Sequence, residues 1–84
     1  MFYVYILQSE KDNKYYIGYT VNLSARIIWH NEGKNKSTKH RRPLKLIYIE
    51  EYKNKKDAMK REKEIKSYKG GNAFKKLLNK GGIA

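Results

Sequence analysis

The segment MFYVYILQSEKDNKYYIGYT, residues 1–20, sets the architecture, because two apolar runs flank a short polar loop. Residues 1–7 and 15–20 are rich in aromatic and β-branched side chains, which is the composition of buried strands. Asp12-Asn13, within the loop, is a turn signal. The pattern therefore predicts an antiparallel β-hairpin at the start of the chain.

Four further elements follow the hairpin, and each helix is bounded by a capping or breaking residue. Asn22 and Asn54 are suitable N-caps, and Gly33 and Gly70-Gly71 end helices. The sequence predicts a helix over 23–32, a strand over 44–52, a helix over 55–68 and a short helix over 72–80. Gly81, Gly82 and the tail are expected to fray. The order β-β-α-β-α-α predicts one α+β domain over 1–84, with a central three-stranded antiparallel sheet flanked by helices.

Strict alternation along the third strand places Leu44, Leu46, Tyr48 and Glu50 on one face.

The composition is strongly basic, with 20 Lys and Arg against 8 Asp and Glu, a net charge of +12 over 84 residues. Such a charge is the electrostatic footprint of a nucleic-acid binder, and a solubility surface is the alternative explanation. The absence of cysteine excludes disulfides, a thiolate nucleophile and cysteine-based zinc sites. The apolar run over 1–7 is too short to cross a bilayer and lacks signal-peptide features, so we expect a cytoplasmic protein without a membrane partner.

The first predicted helix carries charged groups on its apolar face. Leu23, Arg26, Ile27 and His30 follow the i, i+3, i+4, i+7 pattern, so Arg26 and His30 share a face with two core aliphatics. Ordinary amphipathic helices place such side chains on the opposite face. Trp29 and Ile28 lie off this stripe. The Trp29 side chain has three alternative roles: packing, a dimer patch, or stacking on bases.

The second predicted helix repeats this anomaly with an acid. Glu62 shares a stripe with Ala58 and Ile65, whereas Glu64 points to a solvated face. A carboxylate near the core must be paired, bind a metal or shift its pKa. An ion pair with Arg61, with Lys66 or with a residue of a neighbouring element is the structural alternative to a metal site.

These side chains together suit phosphodiester hydrolysis. That reaction needs a cation to neutralise charge on the phosphate, a metal ligand and a group that takes a proton from water. Arg26 supplies fixed positive charge, Glu62 is an oxygen ligand suited to Mg²⁺, and tyrosine and histidine can transfer protons.

Five spaced motifs resemble the GIY-YIG nuclease superfamily, in particular its short bacterial members. They are Tyr-Val-Tyr-Ile-Leu (3–7), Tyr-Ile-Gly-Tyr-Thr (16–20), Leu-x-x-Arg-Ile-x-x-His-Asn-x-Gly (23–33), Arg-Arg-Pro-x-x-Leu-Ile-Tyr (41–48) and Ala-x-x-Arg-Glu-x-x-Ile-Lys (58–66). The resemblance covers almost the whole chain. It implies a small α+β fold with a three-stranded antiparallel sheet. Tyr3 stands where the family name has glycine.

The resemblance implies a DNA nuclease that uses one divalent ion, Mg²⁺ or Mn²⁺. Glu62 matches the metal-binding glutamate and Arg26 the arginine at the scissile phosphate. Tyr5 and Tyr16 match the paired tyrosines, of which one is the general base. Gly18 matches the motif glycine, where a side chain would crowd the site. His30 and His40 match auxiliary histidines, and Asn72 matches a late site asparagine or caps the last helix.

The basic segment over 34–42 completes the prediction for nucleic-acid binding. Its side chains Lys34, Lys36, Lys39, Arg41 and Arg42 are expected to contact the phosphate backbone from a mobile loop. Specificity then comes from the protein's own basic surface or from a protein partner. Two alternatives stay open: RNA as the substrate, and a nucleic-acid-binding module that keeps the fold without catalysis.

Overall fold

The computed structural model describes residues 1–81, and the predicted order of elements is confirmed. The elements are β1 (Phe2–Ser9), β2 (Tyr15–Thr20), α1 (Leu23–Asn31), β3 (Leu44–Tyr52), α2 (Lys55–Ser67) and α3 (Asn72–Gly81), with a short 3-10 turn at Lys39–Arg41 before β3. Gly81 is the last residue of α3, whereas Gly82 and the tail beyond it lie outside the described residues. Within 1–81 no helix is both long and apolar enough to cross a bilayer.

The three strands form an antiparallel sheet in the order β2-β1-β3. Helix α1 packs on one face, where Tyr5, Leu7 and Leu44 meet Leu23 and Ile27. Helices α2 and α3 pack on the other face against a second core, which contains Val4, Ile6, Ile47, Tyr48, Ala58, Ile65 and Phe74. The central strand β1 contributes alternate residues to both cores, as expected for a strand buried on both faces.

A β-bulge in β3 overturns the predicted alternation of that strand. The register shifts between Ile6, which opposes Tyr48, and Leu7, which opposes Leu46. Ile47 is the extra residue, and both Ile47 and Tyr48 pack in the α2–α3 core, whereas Leu44 and Leu46 pack against α1. Tyr48 and Glu50 are therefore not on the face of Leu44 and Leu46, because a bulge inserts one residue and reverses the alternation beyond it.

Local contacts begin α1 and α2 as predicted, and a glycine follows the end of α1. Asn22 accepts a hydrogen bond from the Ala25 backbone N–H at 3.1 Å, and Asn54 accepts one from Asp57 at 3.0 Å. Gly33 follows α1 with φ +79°, a left-handed conformation that favours glycine. These caps set where α1 and α2 start, and hence which side chains each helix directs to the sheet.

Two polar side chains, buried Ser9 and half-buried Asn31, fasten the segment between α1 and β3. Ser9 donates from its hydroxyl to the Arg41 carbonyl at 2.6 Å and accepts hydrogen bonds from the loop amides of Lys11 and Asp12. The amide of Asn31 bonds both backbone groups of Leu44, at 2.7 and 3.1 Å. The Lys39–Arg41 turn is therefore held against the β1–β2 hairpin.

Candidate active site

A cleft of about 390 Å³ lies at the edge strand β2, between α1 and the end of α2. Its lining includes four of the predicted site residues, Tyr5, Tyr16, Arg26 and His30, together with Lys66 of α2. The apolar-face positions of Arg26 and His30 on α1 direct both side chains to the sheet, as the helical spacing predicts.

Tyr5 occupies the floor of the cleft and is almost fully buried. Its hydroxyl is joined to His30 Nε2 by a hydrogen bond of 3.2 Å. Burial raises the pKa of Tyr5, while the positive charge of Arg26 acts to lower it and the negative charge of Glu62 acts to raise it further. The Tyr5 phenol therefore loses its proton at a higher pH than an exposed tyrosine does.

Gly18 makes room for the Tyr5 ring. The two residues are directly opposed across β1 and β2, and a Cβ added at Gly18 would lie 2.5 Å from Tyr5 Oη. No relaxed structure holds a carbon at that distance, so glycine is needed here for space rather than for its backbone angles.

His30 is buried and bonded at both ring nitrogens. Its Nδ1 is 3.0 Å from the hydroxyl oxygen of Thr38, a residue that is itself buried. Burial, and next the charge of Arg26, lower the pKa of His30 below its ordinary value, so the ring is neutral at neutral pH. A neutral imidazole has one donor and one acceptor nitrogen. His30 therefore donates a hydrogen bond to one of its neighbours, Tyr5 or Thr38, and accepts one from the other.

Tyr16 has a different environment from Tyr5. It is partly exposed, and its hydroxyl accepts a hydrogen bond from Arg41 Nη1 at 2.5 Å. Arg41 also pairs with Asp12, its Nε 3.3 Å from Oδ2. A guanidinium can only donate, so the Tyr16 oxygen is the acceptor and its own proton is free to point into the cleft.

Arg26 is held at the cleft by an aromatic contact. Its guanidinium carbon lies 4.8 Å from the centroid of the Trp29 ring, a cation–π geometry, and Trp29 also meets the His30 ring edge-on. Trp29 therefore packs against two cleft residues, which favours packing among the alternatives for this side chain.

Glu62 does not line the cleft, but its side chain is only 16% exposed and its carboxylate is 3.5 Å from Nζ of Lys66, which does. Lys66 lines the cleft, and the charge of Glu62 acts on Tyr5 within it. Of the two predicted ion-pair partners, Lys66 is the one found, because Arg61 turns to Glu50 and Glu64. Within the described residues no group of three or more acidic, histidine or cysteine side chains could enclose a metal.

The remaining predicted residues lie outside this cleft. His40 is exposed and lines a separate depression with Lys39 and Arg42, because the Lys39–Arg41 turn directs it away from Tyr5. Asn72 is exposed at the first turn of α3 and does not line the cleft.

Two of the five basic side chains of this segment are bonded within the fold. Arg41 is engaged by Asp12 and Tyr16, and Arg42 donates to the carbonyls of Lys39 and Asn31. Lys34, Lys36 and Lys39 remain exposed, with Lys34 paired to Glu32. The structure therefore separates two arginines tied into the fold from three lysines directed to solvent.

Sequence reasoning missed two contacts at the cleft. Thr38 bonds His30, and Arg41 reaches Tyr16 rather than solvent. Neither contact follows a periodic pattern, because each joins a residue of the segment between α1 and β3 to another element.

The fold and the sequence define the class of this protein. Residues 1–76 match the GIY-YIG catalytic domain, and the chain belongs to this family, which is a family of nucleases. It is similar to a UPF0213 protein of Staphylococcus haemolyticus, with 54% identity over 67 residues that cover 79% of this chain and 80% of the relative. A UPF0213 protein of Pediococcus pentosaceus is 44% identical over 84 residues, which cover 99% of this chain and 86% of the relative.

A solved structure shares the fold. The solution NMR structure of a UPF0213 protein from Bacillus halodurans aligns with a TM-score of 0.61 and 35% sequence identity. The alignment covers 99% of this chain and 89% of the other. The α+β class, with its three-stranded antiparallel sheet and three helices, is thus confirmed.

Proposed function

We propose that this protein is a divalent-metal-dependent endonuclease that hydrolyses phosphodiester bonds in DNA, acting on structured DNA in repair or processing. One observation carries the proposal: Tyr5, Tyr16, Arg26 and His30 converge on a single cleft, and Glu62 pairs with Lys66 of its lining and acts electrostatically on Tyr5. Membership of a nuclease family and the net charge of +12 support a nucleic-acid substrate.

Arg26 is the group suited to the phosphate. Its guanidinium is fixed over Trp29 at the cleft and presents a planar set of donors to phosphate oxygens. Charge that develops on the phosphate during attack is stabilised most by groups already in place.

Glu62 fits a Mg²⁺ or Mn²⁺ ion bound mainly through water and substrate. Mg²⁺ commonly takes only one or two carboxylates and keeps several waters, so a lone half-buried glutamate beside a phosphate site is a suitable donor. When bound, the ion would supply Lewis-acid neutralisation of charge on the phosphate. Lys66 must then release the carboxylate and is free to contact DNA.

Tyr16 is the better candidate for the general base, and Tyr5 for a positioning donor. A guanidinium that donates to a phenol oxygen stabilises negative charge on that oxygen, and Arg41 makes this contact with Tyr16. The Tyr5 oxygen is instead buried, and its pKa is raised, so Tyr5 is suited to donate a hydrogen bond. Neutral His30, held by Thr38, orients the Tyr5 hydroxyl.

A DNA-binding module without catalysis is the alternative from another class. The surface of such a module would gain nothing from a carboxylate beside the cleft that repels phosphate, whereas a metal-dependent nuclease requires one. RNA as the substrate would use the same cleft, so the two nucleic acids are separated by assay.

The decisive experiment is cleavage of branched, nicked, single-stranded and duplex DNAs with Mg²⁺, with Mn²⁺ and with a chelator. Glu62→Gln is expected to abolish cleavage, keep the fold and bind DNA as well or better, since one negative charge is lost. Glu64→Gln is the matched control, because it removes the same charge from an exposed position of α2. Wild-type cleavage by Glu62→Gln would refute the metal-ligand role, and the same panel made of RNA tests the alternative substrate.

A further inference from the structure

A second depression adjoins the cleft on the opposite side of strand β2. This depression, called here the Tyr15 pocket, has a volume of about 420 Å³. Its apolar wall is formed by Tyr15, Ile17, Ile65 and Phe74, with Asn13 and Gly70 beside them, and its cationic rim by Lys14, Lys66 and Lys69. Tyr15, Ile17 and Lys66 also line the cleft, so the two sites are continuous.

The position of β2 explains this continuity. It is an edge strand, and its successive side chains point to opposite faces of the sheet. Tyr16 packs with the core on the α1 face, whereas Ile17 packs with the core beneath α2 and α3. A ligand that follows the free edge of β2 therefore reaches the cleft on one side and the Tyr15 pocket on the other.

Tyr15 presents a fixed aromatic ring to this pocket. The ring meets Phe74 edge-on, with 4.8 Å between ring centroids and 62° between ring planes. Phe74 is almost fully buried, while Tyr15 is 39% exposed. One part of the tyrosine is thus anchored by the core while the rest is open to a ligand.

The chemistry of the pocket selects the ligand. A flat aromatic ring binds another flat ring by stacking, and rim ammonium groups attract phosphate. A nucleobase carried on a phosphodiester backbone has both features, whereas an aliphatic ligand would gain nothing from three lysines. In a duplex the bases are stacked on one another, so only an unpaired base can enter.

We infer that the Tyr15 pocket binds an unpaired nucleobase next to the phosphate held in the cleft, with Tyr15 as the stacking platform. The inference rests on the proposed function, because it places a nucleic acid along the edge of β2. It assigns a substrate class: nucleic acid with a bulge, flap or single-stranded end beside the scissile bond.

The test compares two probes in the presence of a chelator, so that binding is measured without cleavage. One is a short DNA duplex with a single unpaired fluorescent adenine analogue, and the other carries an abasic residue at that position. The wild-type protein is expected to bind the first about 5- to 150-fold more tightly, the range for stacking one base on an aromatic side chain. The fluorescence of the analogue should also be quenched on binding.

Two variants identify the platform. Tyr15→Phe keeps the ring and is expected to keep the preference. Tyr15→Leu retains an apolar contact with Phe74 but cannot stack, so both probes should bind equally. Equal binding of the two probes by the wild-type protein would by itself overturn the inference. An unchanged preference in Tyr15→Leu would also overturn it.

The same experiment separates this inference from the proposed function. Glu62→Gln should lose cleavage yet keep the preference for the unpaired base. A wild-type protein that shows this preference but cleaves no DNA or RNA would refute the nuclease proposal and leave the pocket standing. Cleavage that depends on Glu62, without any preference for the unpaired base, would refute the pocket alone.

Discussion

Replacing Gly18 with alanine tests whether the space above Tyr5 is as tight as the structure indicates. In a strand interior alanine is ordinarily more favourable than glycine by about 0.5–1 kcal/mol, because glycine loses more conformational freedom on folding. The backbone at Gly18 is not in the left-handed region, so this general effect alone would make Gly18→Ala stabilising. Overpacking against Tyr5 is expected to make Gly18→Ala destabilising instead.

The magnitude follows from the contacts of the added methyl group. It would lie 2.5 Å from Tyr5 Oη and 2.7 Å from Cζ, so the ring must move. The ring is buried and bonded to His30, and overpacking of this kind costs roughly 1–3 kcal/mol, with about 1 kcal/mol more for the lost hydrogen bond. After subtraction of the glycine term, Gly18→Ala is expected to destabilise the protein by about 1–3 kcal/mol.

Urea denaturation followed by circular dichroism measures this change directly. For a domain of this size the loss corresponds to a fall of roughly 5–20 °C in the unfolding temperature. The control is the same substitution in a Tyr5→Leu background, where the ring end is gone and alanine should be neutral or stabilising. A Gly18→Ala protein as stable as wild type would refute the steric argument, and so would an equal loss in the Tyr5→Leu background.

Three further predictions address the cleft, the basic segment and the ion pair between Glu50 of β3 and Arg61 of α2. Arg26→Ala should lower the cleavage rate about 100- to 1,000-fold at saturating DNA, with partial rescue by Arg26→Lys; an unchanged rate with weaker binding would make Arg26 a phosphate anchor. Neutralising Lys36 and Lys39 should weaken binding equally for all DNA sequences and reduce the slope of log K against log salt by about 0.9 per lost contact, whereas parallel slopes would show that neither lysine contacts phosphate. Burial alone would raise the pKa of Glu50, but hydrogen bonds from Arg61, Tyr48 and Tyr52 outweigh it and lower the pKa below its ordinary value of 4.5. The Glu50–Arg61 ion pair therefore stabilises the fold above pH 4.5, and this contribution is lost as the pH falls further. The urea midpoint should fall less at acid pH in Glu50→Gln than in the wild-type protein. The same dependence of the midpoint on pH in both proteins would contradict this.

The local features of the fold were readable from residues close together in the chain. Asn22 and Asn54 bond backbone amides three residues away, and Gly33 ends α1 in the conformation that glycine favours. The 3.6-residue period likewise placed Arg26, His30 and Glu62 on the faces that pack toward the sheet. Such signals depend on contacts within a few residues, so the sequence carries them without knowledge of the rest of the fold.

The features that the sequence did not reveal depend on residues far apart in the chain. The bulge at Ile47 arises from pairing with β1, and it reversed the expected faces of Tyr48 and Glu50. Arg41 reaches Tyr16, 25 positions earlier, because Ser9 ties the Lys39–Arg41 turn to the hairpin.

The two tyrosines of the hairpin show which properties the sequence determines and which depend on the tertiary structure. Sequence pattern placed both Tyr5 and Tyr16 in strands, and the resemblance to the GIY-YIG family identified them as a pair. It could not distinguish the buried phenol bonded to His30 from the partly exposed phenol bonded to Arg41. Burial, charge and hydrogen bonding at each oxygen are set by side chains brought from α1 and from the segment before β3, and these contacts exist only once the chain has packed.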